Sequence, residues 1–326
     1  MTERTMIEAI NLALDQEMQN DDRVLLLGED IGISGGVFRA TEGLRDKFGE
    51  RRVLDTPLAE SAIVATSIGM AINGLRPVCE IQFSGFSFYA MHQVEGHAAR
   101  MRWRSRGRYT VPMVVRMPYG AGVKALEHHS ESREAWYASI PGLKMVIPSG
   151  PRVARGLLVS AIRDPDPVVF FEPKALYRSQ REEVPDEEET YPIGQSRTVR
   201  EGNDLTLITY GSMLPRVLHA ADQLAEESID AEVIDLLTLA PLDDERFTES
   251  VRKTGRVVIV HEAQRHFGPA GEIAFRILEN SFWSLRTPIR RVTGWDVHVP
   301  YFAREQMYLP SVERIVREAK AAVKDD

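Results

Sequence analysis

Met6, Ile7, Ile10, Leu14 and Met18 recur at three- and four-residue steps, which predicts an amphipathic helix over residues 5–19. The run Val24–Leu27 is short and continuously apolar, as a strand buried on both faces would be. A glycine-rich loop, GEDIGISGGVF, comes next, and Asp55-Thr56-Pro57 then opens a segment from Glu60 to Asn73. That segment is small and apolar on nearly every face, which predicts a buried helix. Further along, Val78–Phe83 reads as a strand, 86–104 as a helix and Pro112–Met117 as a strand. A loop over 118–132 contains His128-His129-Ser130, and strand Leu143–Ile147, helix 151–163 and strand Val168–Phe171 follow. Apolar strands separated by helices imply an α/β architecture, a parallel sheet with helices on its faces.

From Arg181 to Glu189 the chain is acidic and nearly devoid of core residues, so composition makes it a solvated linker. Beyond it the alternation resumes: strand Leu205–Thr209, helix 213–227, strand Ala231–Leu236, helix 243–253, strand Val257–Val260, helix 270–280, strand Ile289–Val292 and a last helix from Ser311. The expected division is a domain over 1–180, an acidic linker over 181–203 and a smaller α/β domain over 204–326. A length of 326 residues is enough for two such cores.

Composition narrows the chemistry. The chain is 43% apolar and 27% charged with a net charge of −8, which argues against a nucleic-acid partner or an anionic membrane surface. No apolar run approaches the roughly 18–20 residues of a membrane span, and MTERTMIEAI lacks the basic end and apolar run of a signal peptide. One cysteine, Cys79, excludes a disulfide framework and fits a reducing, cytoplasmic setting. There is no phosphate-binding GxxxxGK[ST], no GxGxxG between strand and helix, no G-x-S-x-G elbow and no HExxH. His128 and His129 are adjacent, and on an extended backbone they would point to opposite sides and could not share a metal.

Longer blocks are more informative. LLLGEDIG, GGVFRATEGL, DTPLAESAIV, GMAINGLRPVCEIQF, VPMVVRMPYG, HHSES, AWYASIPGLKMVIPS, AIRDPDPVVFFEPKALYR and AEVIDLLTLAPLD run in order through the chain. Together they resemble the β subunits of the two-chain thiamine-diphosphate-dependent 2-oxo acid dehydrogenases, from about residue 4 to about residue 320. The resemblance implies a pyrimidine-binding α/β domain followed by a transketolase-type C-terminal domain. It also implies a decarboxylating enzyme that hands an acyl group to lipoamide.

Several residues take roles from that resemblance. Glu60 in DTPLAE matches the glutamate that hydrogen-bonds a ring nitrogen of the cofactor's aminopyrimidine. A carboxyl in an apolar setting holds its proton more readily and can donate it there. Without the resemblance, Glu60 reads as a first-turn carboxylate favoured by the helix dipole. Phe86 in EIQFSGFSF matches the aromatic that packs on the pyrimidine, although Phe83 and Phe88 are near enough to be alternatives, and Gly85 stands where an Asp or Asn is common. His129 matches the histidine of an H-S-Q motif, with Glu131 in place of Gln, and its implied role is to orient and protonate during acyl transfer. His128 is left out. The resemblance also implies a monovalent cation, potassium, held by backbone carbonyls around the AIRDPDP loop at Met113, Ala161, Asp164 and Asp166. Read alone, the loop is a simple turn between a helix and a strand.

The GDG segment that anchors the diphosphate through magnesium in this class is absent. The resemblance therefore implies an α subunit that holds the magnesium and the diphosphate, a site formed between chains and an assembly of two α and two β subunits. The C-terminal domain would dock the acyltransferase core. FFEPKALYR leans toward the branched-chain members over the pyruvate ones. The alternatives are an acetoin dehydrogenase β subunit and a catalytically silent scaffold subunit.

Overall fold

Thr5 and Glu8 start α1 (Met6–Asn20) with reciprocal bonds. The Thr5 hydroxyl accepts the Glu8 N–H at 3.4 Å, and the Glu8 carboxylate accepts the Thr5 N–H at 2.6 Å. The buried face of this helix is the stripe its spacing predicts, with Met6, Ile7, Ile10, Leu14 and Met18 all inside. The structure, a computed structural model, describes residues 1–325. They form two compact units: Met1–Tyr119 with Trp136–Ile193, and Gly120–Ala135 with the residues from Gly194 onward.

In the first unit, after β1 (Thr2–Arg4), come β2 (Val24–Gly28), β3 (Val53–Asp55), β4 (Arg76–Glu80), β5 (Val114–Tyr119), β6 (Lys144–Val146) and β7 (Val168–Pro173). They pair in the order β6-β7-β5-β4-β2-β3, each pair parallel. Helices α2 (Leu44–Phe48), α3 (Glu60–Ile72), α4 (Phe88–Gln93) and α5 (Met101–Arg104) precede α6 (Glu134–Ala138) and α7 (Pro151–Arg163). Gln16 and Glu17 on α1 meet Arg155 and Arg163 on α7, each pair at 2.7 Å.

Three expectations change. The helix predicted over 86–104 is broken into α4, a π-helical turn over Val94–Ala98, and α5. The wider turn leaves the Gly96 carbonyl free to accept the Arg104 guanidinium at 2.7 Å. Helix α3 is buried on one face only: Ile63, Val64, Ser67, Ile68 and Ala71 are inside, whereas Ala62, Ala65, Thr66 and Gly69 are exposed. The acidic stretch is not simply solvated. Its first residues form β8 (Glu182–Val184), antiparallel to β1, with Val184 fully buried. The acids beyond it meet waiting cations: Asp186 pairs with Arg4 at 2.7 Å, Glu189 with Arg152 at 2.6 Å, and Glu188 with Arg163. Composition counts apolar residues and cannot register cations placed elsewhere to receive these acids.

The second unit contains β9 (Arg197–Arg200), β10 (Leu205–Thr209), β11 (Ala231–Asp235), β12 (Thr238–Ala240), β13 (Val257–Gln264) and β14 (Arg290–Gly294). Its sheet runs β14-β13-β10-β11-β9, parallel except for the edge strand β9. Helices α8 (Leu214–Glu226), α9 (Asp244–Thr254), α10 (Ala270–Ser281), α11 (Glu305–Tyr308) and α12 (Val312–Lys324) cover it. Leu207, Val233, Val258 and Val260 pack with Val217, Leu224 and Ile315 into one core. Asp243 caps α9 and Ser311 caps α12, and Gly255 ends α9 in the left-handed region at φ +70°. Among the described residues no helix is long and apolar enough to cross a membrane.

Candidate active site

A parallel sheet presents its chemistry at the carboxyl ends of its strands. Glu60, the first residue of α3, is 8% exposed, and Ala59 before it offers no side-chain cap. The Glu60 carboxyl makes no hydrogen bond or ion pair with any described residue. Glu29, directly after β2, is its neighbour. Burial, and then the negative charge of Glu60, raise the Glu29 carboxyl above its ordinary range. Glu29 Oε1 is buried without a hydrogen-bond partner. The Thr56 N–H donates to the Gly28 carbonyl at 3.0 Å, tying the DTP segment to the end of β2, and Thr56 Oγ1 is also buried and unpartnered. Buried polar atoms are normally satisfied, so this group has unmet capacity for a polar ligand. That capacity fits an aminopyrimidine, which offers both donors and acceptors. Sequence reading missed Glu29, although its position just past a buried strand was the available signal.

Phe86 follows β4 and is half-buried, with its ring edge-on to Phe83 at 5.6 Å. Phe83 meets Phe38 at 5.6 Å, and Phe38 meets Tyr177 at 5.0 Å, so four aromatics from three distant segments form one cluster. Phe88 is instead exposed on α4.

The AIRDPDP turn ends α7. The Asp164 carboxylate accepts Lys144 Nζ at 2.7 Å, and the Asp166 carboxylate accepts Arg102 Nε at 2.6 Å. The Ala161 carbonyl accepts the Asp164 N–H at 3.3 Å, and the Met113 carbonyl accepts the Val168 N–H at 3.0 Å. The Asp164 carbonyl in turn accepts Arg76 Nη1 at 3.4 Å, so cations of the chain already meet both carboxylates and this carbonyl. Among the described residues no group of three or more His, Cys, Asp or Glu side chains gathers to hold a metal ion.

His128 and His129 lie in the second unit, on a short 3₁₀ turn over Glu127–His129. His128 is exposed and His129 half-buried, and their rings stand nearly perpendicular at 6.4 Å. At the end of the same segment Glu134 is fully buried and accepts the Tyr210 hydroxyl at 3.0 Å. Burial, with the Glu262 carboxylate as a further unfavourable charge, pushes the Glu134 carboxyl up to about 8. The unfolded chain would release this proton near the ordinary value of 4.5, but the folded chain keeps it to about 8. The stability contribution is therefore full below 4.5 and is lost as pH rises to about 8. Glu134→Gln, which cannot ionise, is expected to gain several degrees in Tm over the parent at pH 8.5 and to lose that advantage at pH 5. Parallel melting curves for the two proteins across pH would contradict the assignment.

Comparison with known proteins places the whole chain. The transketolase pyrimidine-binding domain family matches residues 2–180, and the transketolase C-terminal domain family matches residues 194–315. The pyruvate dehydrogenase E1 component subunit beta of Acholeplasma laidlawii is 50% identical over 311 residues, covering 95% of each chain. The subunit of the same name from Bacillus subtilis is 50% identical over 320 residues, covering 98% of each. That from Staphylococcus aureus is 48% identical with the same coverage. In fold, the chain matches a solved structure titled split gene transketolase, inactive beta4 tetramer, at a TM-score of 0.80 and 20% identity over 99% of each chain. Agreement at every second residue over almost the entire length leaves one conclusion: the chain belongs to the β subunits of the thiamine-diphosphate-dependent 2-oxo acid dehydrogenases.

Proposed function

We propose that this chain is the β half of a two-chain enzyme that decarboxylates a 2-oxo acid and passes the acyl group to a lipoyl arm. Pyruvate, the substrate in the relatives' names, is the first candidate. The observation that carries this reading is the Glu60 carboxyl, unpartnered within the chain and set beside the orphaned Glu29 oxygen at the sheet's carboxyl edge. Thiamine diphosphate, when bound, supplies the electron sink for loss of carbon dioxide. Glu60 would share a proton between its carboxyl oxygen and the pyrimidine nitrogen once that nitrogen is in place. Phe86 gives the ring an apolar surface and keeps water from it. His129 holds and returns a proton while the acyl group moves to lipoamide, within the range where imidazole titrates.

The α subunit would hold the diphosphate through magnesium, in an assembly of two α and two β chains, and the C-terminal domain would dock the acyltransferase core. Carbonyls of Met113, Ala161, Asp164 and Asp166 would take potassium, and the setting would be cytoplasmic. A branched-chain substrate is the second reading, favoured by FFEPKALYR.

Co-expression with an α chain tests the reading directly. Thiamine-dependent turnover of pyruvate supports it, and preference for 3-methyl-2-oxobutanoate shifts the substrate to the second reading. Turnover of acetoin alone, or of none of the three, overturns it in favour of an acetoin enzyme or a scaffold. His129→Ala should lower lipoamide acylation on the order of 10²-fold and leave decarboxylation into an artificial electron acceptor intact. His128→Ala should lower neither, and the opposite pattern would move the assignment by one residue.

A further inference from the structure

The histidine segment is a closed loop held to its own unit by carboxylates. The Gly120 N–H donates to the Glu131 carbonyl at 3.1 Å and closes the base. Inside, the His129 N–H donates to the Leu126 carbonyl at 3.0 Å, and the Ser130 hydroxyl to the same carbonyl at 3.1 Å. Outside, Glu262, at the end region of β13, reaches the loop's first residues. Its Oε2 accepts the Ala121 N–H at 2.7 Å, and its Oε1 accepts the Ser212 hydroxyl. The approach is close enough that a Cβ on Gly120, whose φ is +82°, would lie 2.6 Å from Glu262 Oε1. Glu305, at the start of α11 and fully buried, accepts the Lys124 N–H with both oxygens, at 2.9 and 3.1 Å. Lys124 itself is in the left-handed region at φ +56°. Hydrogen bonds from neutral donors to buried charged acceptors are among the stronger ones, and losing the acceptor leaves the N–H unsatisfied.

We infer that Glu262 and Glu305 are positioning residues for His129: two buried carboxylates grip the backbone of the loop and fix where the imidazole is presented. Neither needs to touch substrate. Each makes its bond to a main-chain N–H, so the grip is independent of the loop's side chains. Val123 and Leu126 are exposed, so apolar burial in the middle of the loop does little to offset the entropy of ordering it. The carboxylate bonds add to the loop's own backbone bonds and to Ala121 packed in the core. This inference rests on the proposed role of His129 in acyl transfer.

The test uses the assembled enzyme and separates the two ideas. Glu262→Ala and Glu305→Ala should each speed hydrogen exchange in peptides covering 120–131 at least tenfold. Each should lower kcat for lipoamide acylation about tenfold or more, with KM for the 2-oxo acid and turnover with an artificial acceptor unchanged. Glu262→Gln should restore both readouts, because its amide oxygen can still accept from Ala121 while the Ser212 hydroxyl turns to accept from the amide N–H. If Glu262→Ala does not fold, Glu305→Ala carries the same comparison. His129→Ala is the control: if it acylates normally, the role of His129 has failed. If His129→Ala is impaired but the carboxylate variants acylate normally, or exchange no faster, the positioning inference is overturned.

Discussion

Glu60→Gln is expected to fold and to join its α chain, yet to turn over 2-oxo acid on the order of 10²-fold or more slowly. The amide keeps the size of the side chain and the start of α3, so packing on Ile63 and Val64 is undisturbed. It has no proton to yield at a carboxyl oxygen, which is the property the proposed chemistry needs. The substitution has a second, independent signature. In the chain without cofactor the Glu60 carboxylate raises the proton affinity of Glu29, so in the cofactor-free Gln variant Glu29 should ionise at lower pH than in the parent. Normal turnover in the Gln variant, or an unmoved Glu29 titration, would remove Glu60 from the centre of the mechanism.

The largest loss of stability is expected at Arg116. It is buried in β5 between two buried acids, with NH1 on Glu80 at 2.9 Å and Nε on Glu172 at 2.7 Å. The Tyr177 hydroxyl completes the group by donating to Glu172 at 2.5 Å. Burial already raises the Glu80 carboxyl, and the guanidinium is what partly offsets it. Arg116→Met fills much of the same volume but leaves both carboxylates without a cation, which costs about 3–5 kcal/mol. The acids can relieve this only by taking up protons, so the deficit against the parent should shrink as pH falls from 7 to 5. Urea unfolding at both pH values measures it. A loss under about 1 kcal/mol, or one that grows at pH 5, would show that the cluster is not held together in this way.

These two sites show how unevenly the sequence speaks. The helix and strand positions of both units were largely legible, because burial on one or both faces leaves a period in the apolar residues. The three- and four-residue spacing from Met6 to Met18 announced α1, and the last helix was read from Ser311, which caps it. The Thr5–Glu8 cap became visible only in the structure. Glu60, Phe86 and His129 came from resemblance, not from pattern, since a single carboxyl, phenyl or imidazole carries no period. Glu29 escaped attention because its significance lies in a neighbour, Glu60, thirty-one positions on in a chain that only the parallel sheet brings back. The π-helical break in 86–104 was hidden for a related reason: the carbonyl it frees is satisfied by a side chain from the following turn.

What the sequence determined by itself was the succession of elements, the α/β class and the family, because these are written in local periodicity and in blocks of shared residues. What the tertiary structure alone decided was which charges meet. Arg116 reaches acids 36 and 56 positions away, the acidic stretch after Arg181 finds its cations on β1 and α7, and the histidine loop is gripped by carboxylates 141 and 181 positions beyond it. Charged and hydrogen-bonding groups act over a few ångströms with strict direction, so their partners are fixed by the folded chain and leave no trace in residue spacing.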